Sequence, residues 1–361
     1  MSGIVFENVS KYYGEITAVK GLSLNVQEGE RLILLGPSGC GKTTTLRMVA
    51  GLEKITSGIL KMGGHIMNMV EPGARNIAMV FQNYALYPHM TVWENITFGL
   101  SIRKVPNGEI KARAEKALEI LNLSGYEQRK PHELSGGQKQ RVALGRSLVK
   151  QAPYFLLDEP LSNLDAQLRL QARTELVKIH ELYRPTLMYV THDQIEAMSV
   201  GQRIAVMNQG ILQQLDTPDI IYQYPANTFV ASFIGAPPMN LLQGRLCDGN
   251  LRIAGCDIKP PAEWRNLLAS HSELWVGIRP EHCRLSDNSL LRGRVEFTEL
   301  LGSQRCVHVR LQGDELVLCV FPAEQSAIEG TAGISFSWDH VNGFDSHTGC
   351  NIGRPHVRSS I

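Results

Sequence analysis

Two patterns in this chain have residue types suited to phosphate chemistry. The octapeptide Gly36-Pro37-Ser38-Gly39-Cys40-Gly41-Lys42-Thr43 follows the apolar run Leu32-Ile33-Leu34-Leu35 and precedes a helix-compatible run that begins at Thr44. This is the spacing G-x-x-x-x-G-K-[ST] between a buried-type strand and a helix. Its glycines let backbone N–H groups curl around phosphate oxygens, and the following helix aims its positive end at the same anion. Lys42 brings a full charge to the β- and γ-phosphates, and Thr43 brings a hydroxyl to the Mg²⁺ that bridges them. Cys40 is either a small tolerated residue or a site where a bulky thiol adduct blocks nucleotide. The second pattern is Asp158-Glu159, which ends the apolar run Tyr154-Phe155-Leu156-Leu157. Asp158 suits the Mg²⁺ shell, and Glu159 suits activation of the attacking water.

Further polar residues follow buried-type strands. Gln82 follows Asn76-Ile77-Ala78-Met79-Val80-Phe81, placed to reach Mg²⁺ or the attacking water. His192 follows Leu187-Met188-Tyr189-Val190-Thr191 and is either structural or a hydrogen-bond donor to the γ-phosphate. Tyr13 ends the opening strand region, either stacked on adenine or simply packed. Leu134-Ser135-Gly136-Gly137-Gln138 opens a helix and forms a second anion-binding N-terminus. One chain thus carries two phosphate sites and one lysine-bearing loop, which points to nucleotides shared between two subunits. Ser162-Asn163-Leu164-Asp165 is a turn in which Asp165 is placed to cap the next helix.

The elements that must position these residues are an α/β sheet and a helical segment. Residues 4–26 read as a hairpin-like strand pair before the phosphate-loop strand. From 84 to 150 the pattern turns helical, with Ile110, Ala114, Ala117, Leu118 and Leu121 on one stripe. The aromatic, proline-containing loop 84–90 beside Gln82 is either local core or a docking groove. From about 241, short alternating strands such as 305–311 separated by glycine turns mark a small all-β barrel.

The chain has 361 residues, 43% hydrophobic and 20% charged, with a net charge of +1. Two full cores fit this length, and the charge gives no polyanion-binding surface. There is no basic-then-apolar leader and no apolar run near the ~20 residues that span a bilayer. The expectation is a soluble chain whose membrane role comes through a partner. Seven cysteines without a C-x-x-C pair argue against a disulfide framework or zinc ribbon and for a reducing compartment.

In order and spacing, Tyr13, the loop 36–43, Gln82, the LSGGQ at 134–138, Asp158-Glu159, the SNLD at 162–165 and the THD at 191–193 resemble the ATP-binding cassette ATPases. The resemblance implies a P-loop (RecA-like) α/β domain at 1–235, with a helical subdomain at about 84–150, followed by an OB-like, TOBE-type all-β domain at 236–361. It implies ATP and Mg²⁺ as ligands. The implied nucleotide-binding residues are Tyr13, Gly36, Pro37, Ser38, Gly39, Cys40, Gly41, Lys42, Thr43, Thr44, Gln82 and Asp158, with Ser135, Gly136, Gly137, Gln138 and Asp165 acting across a head-to-tail homodimer. Thr43, Gln82 and Asp158 serve the metal. Glu159 is the implied catalytic base, His192 the γ-phosphate switch, and Gln82 the sensor coupled to membrane subunits.

Residues 213–240, together with Gly277-Ile278-Arg279-Pro280-Glu281-His282, resemble the carbohydrate-importer branch, of maltose or glycerol-phosphate type. That branch implies two transmembrane permease subunits docked near 82–90, an extracytoplasmic solute-binding protein, a dimer-bracing or regulator-binding barrel, and a peripheral place on the cytoplasmic face of the inner membrane. Sulfate, polyamine and metal importers keep the same ATPase with another cargo. About 90 residues separate the phosphate loop from LSGGQ, too few for the coiled coil of a repair ATPase. The barrel half shows no basic-aromatic stripe, so nucleic acid is not expected as a partner.

Overall fold

The apolar runs that precede the polar motifs form the inner strands of one six-stranded sheet. In the computed structural model, which describes residues 3–286, 289–324 and 329–355, the chain folds as two compact units, 1–218 and 219–361. In the first unit, β3 (Arg31–Leu35), β6 (Ile77–Val80), β7 (Tyr154–Asp158), β8 (Thr186–Thr191), β9 (Arg203–Asn208) and β10 (Ile211–Asp216) take the order β10-β9-β3-β8-β7-β6. The five from β9 to β6 are parallel, and β10 pairs antiparallel with β9. Every residue of β7 and β8 is buried, as a parallel sheet covered on both faces requires.

A second, antiparallel sheet carries the strand pair expected at 4–26. It has the order β2-β1-β4-β5, formed by β1 (Ile4–Tyr13), β2 (Ile16–Val26), β4 (Ser57–Met62) and β5 (His65–Ile66). Phe6, Val9 and Leu24 from this sheet share an apolar cluster with Leu32 and Met188 of the parallel sheet and with Leu46 and Val49 of α1 (Lys42–Ala50). The helical segment holds α2 (Val92–Ile102), α3 (Asn107–Ile120) and α4 (Gly136–Lys150). The stripe Ile110, Ala114, Ala117, Leu118 and Leu121 is buried throughout. Helices α5 (Ala166–Tyr183) and α6 (Gln194–Val200) flank β8 in sequence.

The second unit is mainly β structure. It has two five-stranded antiparallel sheets, β13-β12-β11-β14-β20 and β15-β19-β16-β17-β18. The first is made of β11 (Asn240–Cys247), β12 (Asn250–Ile253), β13 (Cys256–Ile258), β14 (Glu273–Ile278) and β20 (Val341–Asp345). The second is made of β15 (Cys283–Leu285), β16 (Leu291–Leu301), β17 (Gln304–Leu311), β18 (Leu316–Pro322) and β19 (Thr331–Phe336). Leu242, Leu251 and Val276 from one sheet and Val307, Val309 and Ile334 from the other meet in one core with Trp264 of α9 (Ala262–Leu268).

Two short helices, α7 (Pro218–Gln223) and α8 (Thr228–Phe233), are held to these sheets by several contacts, among them a buried cation. Arg279 is 2% exposed, and its guanidinium donates to the carbonyls of Tyr222, Ala231 and Ile234 while lying 4.1 Å over the Tyr222 ring. Residues 219–235 belong to the second unit, and Arg279 ties Tyr222, Ala231 and Ile234 together within it. All seven cysteines are free. Among the described residues, no helix is long and apolar enough to cross a membrane.

Replacing Arg279 by Met keeps the stem and strands three carbonyls. The expected cost is roughly 2–4 kcal/mol of unfolding free energy, read from denaturant melts. A change below about 0.5 kcal/mol contradicts the anchoring role.

Candidate functional site

Strand register gathers the predicted residues along one edge. Leu35 pairs with Thr191, Val190 with Asp158 and Leu157 with Val80, so β3, β8, β7 and β6 end nearly in step at their carboxyl ends. The residues that leave these strands are the phosphate loop, His192, Glu159 and Gln82. Ligand sites of parallel α/β sheets lie at this edge.

The loop is shaped by close approaches that exclude side chains. A Cβ on Gly36 would lie 2.2 Å from the Met207 carbonyl oxygen, and one on Gly41, at φ +98°, 2.3 Å from that of Ala18. Lys42 is 5% exposed and donates from Nζ to the carbonyls of Gly36 (2.8 Å) and Pro37 (2.9 Å). Among the described residues no carboxylate is ion-paired with it. A buried ammonium solvated by carbonyl dipoles and a thiol is electrostatically suited to a polyphosphate anion. The Cys40 thiol is 3.8 Å from the same Nζ, and burial pushes its pKa up.

Thr43 Oγ1 donates to Asp158 Oδ1 at 3.0 Å, linking the loop to the end of β7. Asp158 is 6% exposed. Burial raises its pKa first of all and Glu159 adds to the rise, while Thr43, Arg47 and Lys42 oppose it. A carboxylate held at such cost beside a hydroxyl fits a divalent cation whose remaining ligands come from phosphates and water. Among the described residues no cluster of three or more His, Cys, Asp or Glu forms a cage of its own.

Glu159 has φ +44°, and its N–H continues the ladder to the Val190 carbonyl at 3.0 Å. Its Oε2 accepts from Gln82 Nε2 at 3.3 Å and lies 3.2 Å from His192 Nδ1. Three candidate catalytic side chains from three strand ends therefore meet on one carboxylate oxygen. Asn163 Nδ2 fixes the Gln82 carbonyl at 2.9 Å, adding the 162–165 turn to the group.

The other predicted residues sit apart from this cluster. Ser135 caps α4 in a reciprocal box with Gln138, accepting from its N–H at 3.3 Å and donating its own N–H to Oε1 at 2.9 Å. The nearest neighbours of a Cβ on Gly136 or Gly137 are Leu164, Asn163 and Leu168. Asp165 caps α5 by accepting from Leu168 N–H at 2.9 Å. Tyr13 is 44% exposed, with the Lys11 ammonium 4.5 Å from its ring centre. Burial, then a hydrogen bond with Glu53, raises its pKa, and Thr44 opposes the rise.

Arg146 was not legible as a site residue. Tyr84 and Ala85 both adopt positive φ (61° and 46°), an uncommon pair of left-handed residues, and Arg146 of α4 donates to both carbonyls at 3.0 and 2.8 Å. Asn95, fully buried, accepts from Tyr87 N–H and donates to the carbonyls of Tyr87, Met90 and Thr91. Tyr84 is core, whereas Tyr87, Pro88 and His89 are exposed on this braced loop. A guanidinium bound to carbonyls leaves no pattern of residue types, so only the strained backbone marks it.

The raised pKa of Asp158 sets a pH dependence. Its ionisation opposes folding above the ordinary aspartate range, fully so above the raised value, and the penalty vanishes below both. Nucleotide-free Asp158→Asn protein should be at least as stable as wild type at pH 8, with the gap closing towards pH 4. A variant less stable at pH 8 by more than about 1 kcal/mol contradicts this reading of burial.

Residues 19–162 match the family model for ABC transporters, 235–283 that of the MalK OB fold domain and 276–342 that of the TOBE domain. The trehalose/maltose import ATP-binding protein MalK of Thermococcus litoralis is 47% identical over 97% of this chain and 99% of its own. The sn-glycerol-3-phosphate import ATP-binding protein UgpC of Ruegeria pomeroyi is 44% identical over 98% and 99%. The oligosaccharides import ATP-binding protein MsmX of Bacillus subtilis is 43% identical over 98% and 100%. Among solved structures, a dimeric post-hydrolysis state of the ATP-binding cassette MJ0796 bound to ADP and Pi is similar with a TM-score of 0.54 and 32% identity, covering 60% of this chain and 98% of that one. With these relatives matched almost end to end, the chain belongs to the ABC transporter family, among the ATP-binding subunits that carry a MalK OB fold and a TOBE domain.

Proposed function

We propose that this chain is the ATP-hydrolysing subunit of an importer for a sugar, polyol or glycerol phosphate. The observation that carries the chemistry is the convergence of Gln82 and His192 on Glu159 Oε2, at the sheet edge that presents Lys42. Lys42 and the loop amides hold the β- and γ-phosphates, and Tyr13 and Thr44 border the nucleotide. Thr43, Asp158 and Gln82 are the residues that would hold Mg²⁺, which when bound neutralises charge on the phosphate oxygens. Glu159 takes a proton from the attacking water as its oxygen bonds to the γ-phosphorus, the bond from that phosphorus to the β–γ bridging oxygen breaks, and ADP leaves with the electron pair while the γ-phosphoryl becomes inorganic phosphate. His192 donates to the γ-phosphate and keeps Glu159 oriented.

The signature residues Ser135, Gly136, Gly137 and Gln138, with Asp165, serve a nucleotide on a second copy of the chain in a head-to-tail homodimer. In support, among the described residues Ser135 and Asp165 hydrogen-bond only within their own helix caps, and a capped helix start is suited to a phosphate from outside. Residues 82–90 dock two transmembrane permease subunits, supported by exposed Tyr87, Pro88 and His89 on a backbone that Arg146 and Asn95 brace. The chain then lies peripherally on the cytoplasmic face of the inner membrane, fed by an extracytoplasmic solute-binding protein. The second unit braces the dimer or receives a regulator. The relatives' names favour a sugar or glycerol phosphate over sulfate, polyamine or metal as cargo.

Mixing two inactive variants tests the shared site. Lys42→Ala and Ser135→Arg each disable both sites of a homodimer, but random pairing leaves about a quarter of all sites with neither change. Recovery of ATPase on mixing, up to about that fraction, is expected. No recovery in mixtures shown to exchange subunits places the whole site within one chain.

A further inference from the structure

The 162–165 turn and the 191–193 turn leave different strands, and one side chain joins them. Arg169, in the first turns of α5, donates from Nη2 to the Leu164 carbonyl (3.0 Å) and from Nη1 to Asp193 Oδ2 (3.2 Å), with Nε 3.8 Å from Glu196 Oε1. Glu196 is 3% exposed, and its Oε2 accepts from the hydroxyls of Tyr189 and Thr191, both at 2.7 Å. Thr191 Oγ1 in turn accepts the Asp193 N–H at 3.0 Å, and Asp193 Oδ1 caps α6 through the N–H groups of Ile195 and Glu196. Both neighbours of His192 are therefore pinned, Thr191 on Glu196 and Asp193 on Arg169. The planar fork of a guanidinium can serve a carbonyl and two carboxylates at once, which a lysine ammonium on a flexible stem does poorly.

We propose that Arg169 is a positioning residue that couples the turn carrying Asp165 to the turn carrying His192. A second copy pressing on 162–165 then shifts the His192 contact with Glu159 through this guanidinium, beside the Asn163–Gln82 contact. The inference rests on the shared-site reading above.

Amide hydrogen exchange on the full chain tests the link without turnover. In Arg169→Met the amides of Ser162 and Leu164 and those of Asp193, Ile195 and Glu196 should all exchange about tenfold faster, with Arg169→Lys in between. Acceleration at one turn only, at neither, or spread evenly through β7 and β8 overturns the coupling. In steady-state assays Arg169→Met and Asp193→Asn should each lower kcat about tenfold with KM for ATP within about twofold, and the double variant should be no worse than either single one. Additive losses or an unchanged kcat overturn it. An inactive wild type would count against the hydrolytic reading alone, leaving the exchange result to judge the coupling.

Discussion

Four parallel strands that end together are the constraint on which this site depends. Leu35 opposite Thr191, Val190 opposite Asp158 and Leu157 opposite Val80 fix where each chain segment leaves the sheet. A slip of one residue would turn every side chain to the other face and carry Glu159 away from Gln82 and His192. The fully buried β7 and β8 make that slip expensive, because each face is packed against apolar side chains. Chemistry at the rim is thus held by hydrophobic packing well below it.

Electrostatics at the rim works against stability. Lys42 is buried among carbonyls, and Asp158 is buried with a hydroxyl for a partner. Among the described residues neither charge has an ion-pair partner, which disfavours folding and suits a ligand that brings the missing charge. A triphosphate with its divalent ion complements both residues at once. Strained backbone has the same distribution, with left-handed Glu159, Tyr84 and Ala85 all close to where the chain leaves β6 and β7.

Much of this was legible in the sequence, because phosphate loops, strand-end acids and capped helix starts obey local rules. The motif order gave the cassette, and the alternating segments after 241 gave an all-β unit. How those strands pair into two five-stranded sheets was less legible, since alternation marks strands but not their partners. Arg146 and Arg279 were hidden for a common reason: each binds carbonyl oxygens contributed by distant segments, and a carbonyl acceptor leaves no trace in residue type; Arg169 was hidden because its carboxylate partner Asp193 is distant in sequence. Ser135 and Asp165 were visible, but in one chain they only cap helices, and any role in binding nucleotide requires a second copy.

The central claim is a hydrolytic site closed between two copies, with Glu159 as base. Its most direct measurement compares wild type and Glu159→Gln for ATPase rate and for size-exclusion profile in Mg-ATP. Turnover lost by at least about a hundredfold, together with a dimer that persists only in ATP, is the result this account predicts. Turnover retained in Glu159→Gln, or a monomer that ATP never shifts even with the permease subunits present, would contradict it.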